Sequence, residues 1–191
     1  MHTSFVGEFI VGFPYRRVKI PVHTQDHCPP EARLKLNIDA NFIRSTEMAS
    51  AGFILRNHAG SILLSGSLSL PTCSDAEEAE ATACLQSLRN SLSCLHFPTL
   101  VELDCAEVVA SLNRGDKLLS RLHFIYVEIK KLMLSDTNIV FCKTERGCNL
   151  VAHELAQLAR KSCTGIWHYT APESLLHFVH VDYVNSNAVI L

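Results

Sequence analysis

The sequence predicts an α/β domain built on a five-stranded mixed sheet with helices on both faces. Three observations carry that prediction. Apolar residues form three successive strand-like stretches, over 33–39, 49–57 and 61–69. The period then changes to a helical one over 74–92. From there strand-like and helical stretches take turns, which gives the order β-β-β-α-β-α-α-β-α.

Each element has its own signal. In the first strand Leu34, Leu36 and Ile38 alternate with Lys35, Asn37 and Asp39, so the strand closes on a carboxylate. The next two runs are separated by His58-Ala59-Gly60, a hairpin signal with Gly60 at the turn. In the first helix Ala81, Cys84, Leu85, Leu88 and Leu92 recur at helical spacing, and Ser74 followed by Glu77 fits a capping box. Residues 99–104 read as a strand that again ends on aspartate. Helices are expected over 105–115, closed by Asn-Arg-Gly, and over 118–134, where Phe124, Tyr126 and Ile129 are assigned to the core. A strand over 137–143 and a helix over 149–162, with Val151, Ala152, Leu155 and Ala159 inward, complete the order.

The domain is expected to occupy residues 31–163. A proline-punctuated arm precedes it (1–30, with one short strand at 16–22), and a tail follows over 164–191 with one short helix.

Composition narrows the function classes. Of 191 residues 48% are hydrophobic, enough for a sizeable core. Only 19% are charged and the formal net charge is −2, which excludes a protein held to nucleic acid by bulk charge but leaves room for a local basic groove. The eight cysteines form no CxxC pair, so reduced thiols are expected rather than a zinc ribbon or a redox pair. His23, Asp26, His27 and Cys28 have no second pair of ligands downstream, and no zinc site is expected. The run FVGEFIVGF is short and broken by Glu8; it suits neither a secretory signal nor a membrane span, and the expectation is an intracellular protein.

The chemistry lies in the carboxylates. In a sheet of this order the first and fourth strands lie side by side and parallel, so Asp39 and Asp104 end neighbouring strands. Glu80 sits in the first turns of the helix between them. Three converging carboxylates repel one another unless cations sit among them. Hard oxygen ligands suit Mg²⁺ or Mn²⁺. Two such ions, roughly 4 Å apart, would clamp the attacking and leaving oxygens of a phosphodiester. Glu102 and Glu107 are read as solvent-facing.

Five blocks, KLNIDANF, AGFILRN with GSILLSG, AEATACLQSL, VELDCAEVVASLN and NLVAHELAQLA, resemble in order and spacing the plant ribonuclease H-like domain. That domain occurs alone and at the end of plant non-LTR retroelement polyproteins. The resemblance spans about residues 30–163 and implies a ribonuclease H-like fold. It also implies a hydrolase: an endonuclease using two Mg²⁺ or Mn²⁺ ions to cut the RNA strand of RNA–DNA hybrids, leaving 5′-phosphate and 3′-hydroxyl ends. By position it implies metal-binding and catalytic roles for Asp39, Glu80 and Asp104. It implies a catalytic role for His153 too, which takes the place where bacterial-type enzymes carry a fourth aspartate and could ligate or shuttle a proton without adding negative charge.

Three departures stand out. Ala40 replaces the usual glycine, Cys105 replaces a small polar residue, and Lys143 stands where the enzymes have a histidine implicated in proton transfer. The loop NRGDK leaves no room for the basic handle of bacterial enzymes. Lys143, Arg146 and Asn149 are candidate nucleic-acid contacts, as is Arg160 for phosphates; no membrane partner is expected. The alternative reading is a retroelement-derived module of this fold that binds nucleic acid or protein without efficient cutting.

Overall fold

The computed structural model describes residues 33–114, 121–133, 138–161 and 163–179. The N-terminal arm with its expected short strand and its His23–Cys28 cluster lies outside them. So does the end of the tail.

The strands are β1 (Leu34–Ile43), β2 (Met48–Arg56), β3 (Ile62–Ser69), β4 (Thr99–Leu103), β5 (Ile139–Lys143) and β6 (Gly165–His168). The helices are α1 (Ala76–Ser91), α2 (Ala106–Asn113), α3 (His123–Met133) and α4 (Leu150–Arg160). One mixed sheet results, in the order β5-β4-β1-β2-β3-β6. The α/β class and the element order agree with the expectation, but the sheet has six strands rather than five. The sixth comes from the tail: β6 pairs antiparallel with β3, from Leu64↔His168 to Ser67↔Gly165. Four residues with no alternating pattern gave no period-two signal; pairing with an edge supplies what local sequence lacks.

Turn chemistry sets the β1–β2–β3 meander. The side chain of Asn57 accepts the N–H groups of Ala59 and Ser61, and Gly60 adopts φ 77°, a left-handed conformation that glycine takes without steric cost. β1 and β4 are parallel, with Leu36 opposite Val101 and Asn37 opposite Glu102, so a crossover is required, and α1 provides it. The α1 start lies one residue later than the expected box. Asp75 is the N-cap and accepts the Glu78 N–H at 3.0 Å, while Glu78 reaches back to the Ser74 N–H at 2.8 Å. The Asp75 carboxylate also meets Arg121 at the surface.

Alternation in β1 divides the core. Leu34, Leu36 and Ile38 face α1, α2 and α3 in a cluster with Phe53, Val101, Leu88, Tyr126 and Phe141. Full burial of a side chain such as Leu36 contributes roughly 2 kcal/mol. Tyr126 and Ile129 are core, as expected, but Phe124 is 81% exposed because it falls on the outer face of α3. On the opposite face of the sheet α4 lies across β1, β2 and β3. Its close seat is set at Gly52, where a Cβ would come 2.1 Å from the Ala152 carbonyl oxygen and 2.3 Å from the Ala156 nitrogen. The Ser50 hydroxyl donates to the Ala156 carbonyl at 2.9 Å. Ile54, Val151, Leu155 and Leu175 form a second apolar cluster here, joined by the helical turns that begin at Glu173.

Glu102 does not face solvent. Its carboxylate accepts from Asn37 at 2.9 Å and pairs with buried Lys35 at 3.2 Å. The parallel register puts it beside these β1 residues, a relation that strand periodicity alone does not give. The cysteines among the described residues are free thiols. No helix among those residues is long and apolar enough to cross a membrane.

Candidate functional site

Asp39 lies within β1 rather than at its end, because the strand continues four residues further in pairing with β2. It is opposite Gly52, the residue that lets α4 approach. Asp104 follows the last residue of β4, one residue before the Cys105 N-cap of α2. Glu80 stands near the start of α1, and the Ala40 amide donates to its carboxylate. Two adjacent parallel strands and the crossover helix between them thus deliver the three carboxylates to one place. One oxygen from each of Asp39, Glu80 and Asp104 lies within 4.8 Å of the others.

The charge of the cluster is only partly compensated, by exposed Arg146 beside Asp104. Asp39 Oδ1 and Glu80 Oε2 are buried without a hydrogen-bond partner. An unsatisfied buried polar atom costs about 1–3 kcal/mol, and more when charged. Burial pushes the Asp39 carboxyl up to about 6; the hydrogen bond from His153 opposes this and the nearby Asp104 adds to it. Glu80 is raised well above the ordinary carboxylate range, first by burial and then by the charges of Asp39 and Asp104. Unpartnered hard oxygens in carboxylates that converge fit a hard divalent cation, which would satisfy their lone pairs and offset the mutual repulsion.

His153 belongs to the same site. Its Nδ1 is 2.8 Å from Asp39 Oδ2. Its Nε2 is 3.4 Å from the Gln157 side-chain nitrogen, one turn further along α4. An ionised carboxylate only accepts, so Nδ1 donates to Asp39, while Nε2 faces the Gln157 amide. In this arrangement the histidine holds Asp39 in place rather than offering it a lone pair.

The candidate nucleic-acid contacts separate. Arg146 is exposed, with its Nε 3.7 Å from Asp104 Oδ2. Lys143 is exposed at the end of β5. Asn149 is inside, 2% exposed, where its amide donates to the Ile38 carbonyl at 2.7 Å. It ties the start of α4 to β1 rather than presenting an exposed surface. Sequence reasoning missed Gln157 and Gly52; the first had only its i+4 spacing from His153 as a signal, the second none.

Residues 37–159 match the model of the reverse transcriptase-like family. The chain belongs to that family. The fold of this reverse transcriptase-like protein is ribonuclease H-like, as its solved structural relatives show. RNase H1 of the halophilic archaeon Halobacterium salinarum superposes with TM-score 0.61 at 18% identity, covering 69% of this chain and 99% of that one. LC11-RNase H1, isolated from compost by a metagenomic approach, gives TM-score 0.61 at 18% identity over 69% of this chain and 97% of its own. The same LC11 enzyme in complex with RNA/DNA hybrid gives TM-score 0.55 at 18% identity, over 64% and 91%. No curated protein matches the sequence.

Proposed function

We propose that this chain is a metal-dependent endonuclease of the ribonuclease H type, hydrolysing the RNA strand of RNA–DNA hybrids. One observation carries the reading: three carboxylates from β1, α1 and β4 converge within 4.8 Å, two of them with buried, unpartnered oxygens. The fold it shares with an enzyme solved on RNA/DNA hybrid supports the choice of substrate. The catalytic unit is taken as residues 31–163, with β6 completing one edge of its sheet.

Asp39, Glu80 and Asp104 would hold Mg²⁺ or Mn²⁺, most simply as two ions. Bound there, the cations supply Lewis-acid stabilisation of an in-line displacement at phosphorus. The chain's own residues do the positioning. His153 fixes one Asp39 oxygen and leaves the other buried and without a partner. Asn149 anchors α4 so that His153 stays over β1. Arg146, exposed beside Asp104, is free to swing from that carboxylate to a phosphate. Contacts of this kind go to the backbone of the nucleic acid, so sequence preference is slight.

A second reading is favoured by Lys143. Lys143 puts a primary amine where the enzymes carry an imidazole, the side chain suited to proton transfer near neutral pH, and a chain of this fold that grips hybrid without efficient turnover would look the same otherwise. Labelled hybrid incubated with the protein and Mg²⁺ or Mn²⁺, beside Asp39→Asn and Asp104→Asn, separates the two. Metal-dependent cutting abolished by both substitutions supports the enzyme. Binding without cutting supports the module, and neither binding nor cutting sinks both.

A further inference from the structure

Beyond the acidic cluster, a cavity of about 230 Å³ opens between the far end of β1–β2–β3 and the last turn of α4. Asn41, Ser50, Ser69, Arg160 and Thr164 line its polar side. Among the described residues its lining contains one cation and no carboxylate, the reverse of the triad next door. Arg160 is exposed and has no ion-pair partner among the described residues.

Two elements lead from the triad to this cavity. On β1, Asp39 and Asn41 are two residues apart and share a face, which puts them about 7 Å apart along the strand. Register carries the same face to β2, where Asn41 is opposite Ser50. On α4, His153, Gln157 and Arg160 fall at i, i+4 and i+7 on one stripe, spanning about 10 Å of axis. A strand and a helix thus run side by side from the carboxylates to Arg160. A nucleic-acid strand advances about 3.4 Å per nucleotide along the duplex axis, so this distance corresponds to two or three nucleotides.

We infer that this cavity is a subsite for one phosphodiester of the RNA strand, two or three nucleotides to one side of the bond that is cut. Arg160 neutralises the phosphate, and the Asn41 amide and the Ser69 and Thr164 hydroxyls hydrogen-bond its oxygens or the adjoining ribose. The Ser50 hydroxyl, already donated to Ala156, holds the wall of the cavity in place. A cation here has a clear use, because the acidic triad by itself repels a polyanion, and the chain's net charge of −2 offers no bulk attraction. The subsite rests on the hybrid reading proposed above and extends it.

Hybrid binding is measured in Ca²⁺, with and without Arg160→Ala and Asn41→Ala, using duplexes in which one RNA phosphate at a time is replaced by an uncharged methylphosphonate. The expected result is a roughly tenfold weaker Kd for Arg160→Ala and a salt-dependence slope reduced by about one. One methylphosphonate position, on one side of the scissile bond only, should weaken wild-type binding several-fold and leave Arg160→Ala unaffected. Wild-type binding that Arg160→Ala and Asn41→Ala leave unchanged overturns the subsite and spares the hybrid reading. Equal sensitivity of wild type and Arg160→Ala at every methylphosphonate also overturns it. No hybrid binding by the wild-type chain overturns the hybrid reading, and the subsite falls with it.

Discussion

Asp39 and His153, 114 residues apart in sequence, are held at 2.8 Å between Oδ2 and Nδ1, while the other oxygen of the same carboxylate stays buried and unpartnered. The contact orients the aspartate without consuming its capacity to bind a cation. Partners of this kind, one step removed from a metal, commonly contribute 10–100-fold in affinity. His153→Ala should therefore weaken Mn²⁺ binding by about tenfold, measured by calorimetry, while Asp104→Asn abolishes it.

A bound divalent cation should stabilise the fold. At a concentration a hundred times its Kd the gain is about 2.7 kcal/mol, visible as a higher Tm on adding Mg²⁺ or Mn²⁺. Asp39→Asn and Glu80→Gln should each remove most of that gain. A Tm insensitive to both metals would contradict the metal-site reading.

The raised carboxyl of Asp39 has a definite pH signature in the metal-free protein. Its folded value of about 6 lies above the ordinary 3.8, so between these values the folded state holds a proton that the unfolded state has released. Stability from this group is full below about pH 4 and is lost as pH rises through about 6; the shift corresponds to up to about 3 kcal/mol. Glu80, raised for the same reasons, acts in the same direction. Asp39→Asn should therefore be more stable than wild type at pH 7.5 without metal, and the difference should vanish near pH 4. Urea midpoints across that range provide the check.

Gly52 is the residue on which the placement of α4 depends. The new methyl of Gly52→Ala would meet backbone atoms of Ala152 and Ala156 at 2.1 and 2.3 Å, which cannot rotate away. Overpacking of this kind costs about 1–3 kcal/mol or more, and lifting α4 also withdraws His153 from Asp39. Cutting activity should fall further than the fraction of folded protein, as followed by circular dichroism. Gly147→Ala, with nothing within 4 Å of its Cβ, is the control expected to leave stability unchanged.

Lys143 offers a gain-of-function test. If turnover is limited by proton transfer at the end of β5, Lys143→His should raise kcat on hybrid by about tenfold or more with little change in KM. It should also add a further titrating step near pH 6–7 to the rate profile.

Much of the fold was legible in sequence because burial and periodicity are local. The alternation of Leu34, Leu36 and Ile38, the helical spacing of Ala81, Cys84, Leu85 and Leu88, and the turn at Gly60 each report which face of an element meets a core. The short strand β6 was not legible, since Gly165–His168 has no pattern of its own and exists by pairing with β3. The burial of Glu102 was hidden for a related reason: its partners, Lys35 and Asn37, come from another strand.

For the candidate site, the sequence by itself pointed to Asp39, Glu80 and Asp104, because their elements could be ordered and a parallel β1–β4 pair brings its carboxylates to one end; His153 came only from the family resemblance. Only the tertiary structure decided which oxygens are left without partners, that His153 turns Nδ1 toward Asp39, that Asn149 is buried against the Ile38 carbonyl, and that a cationic cavity lies further along β1 and α4. Those outcomes depend on how closely α4 settles on β2 at Gly52. A distance between two packed backbones is set by the whole interface and is written in no single stretch of residues.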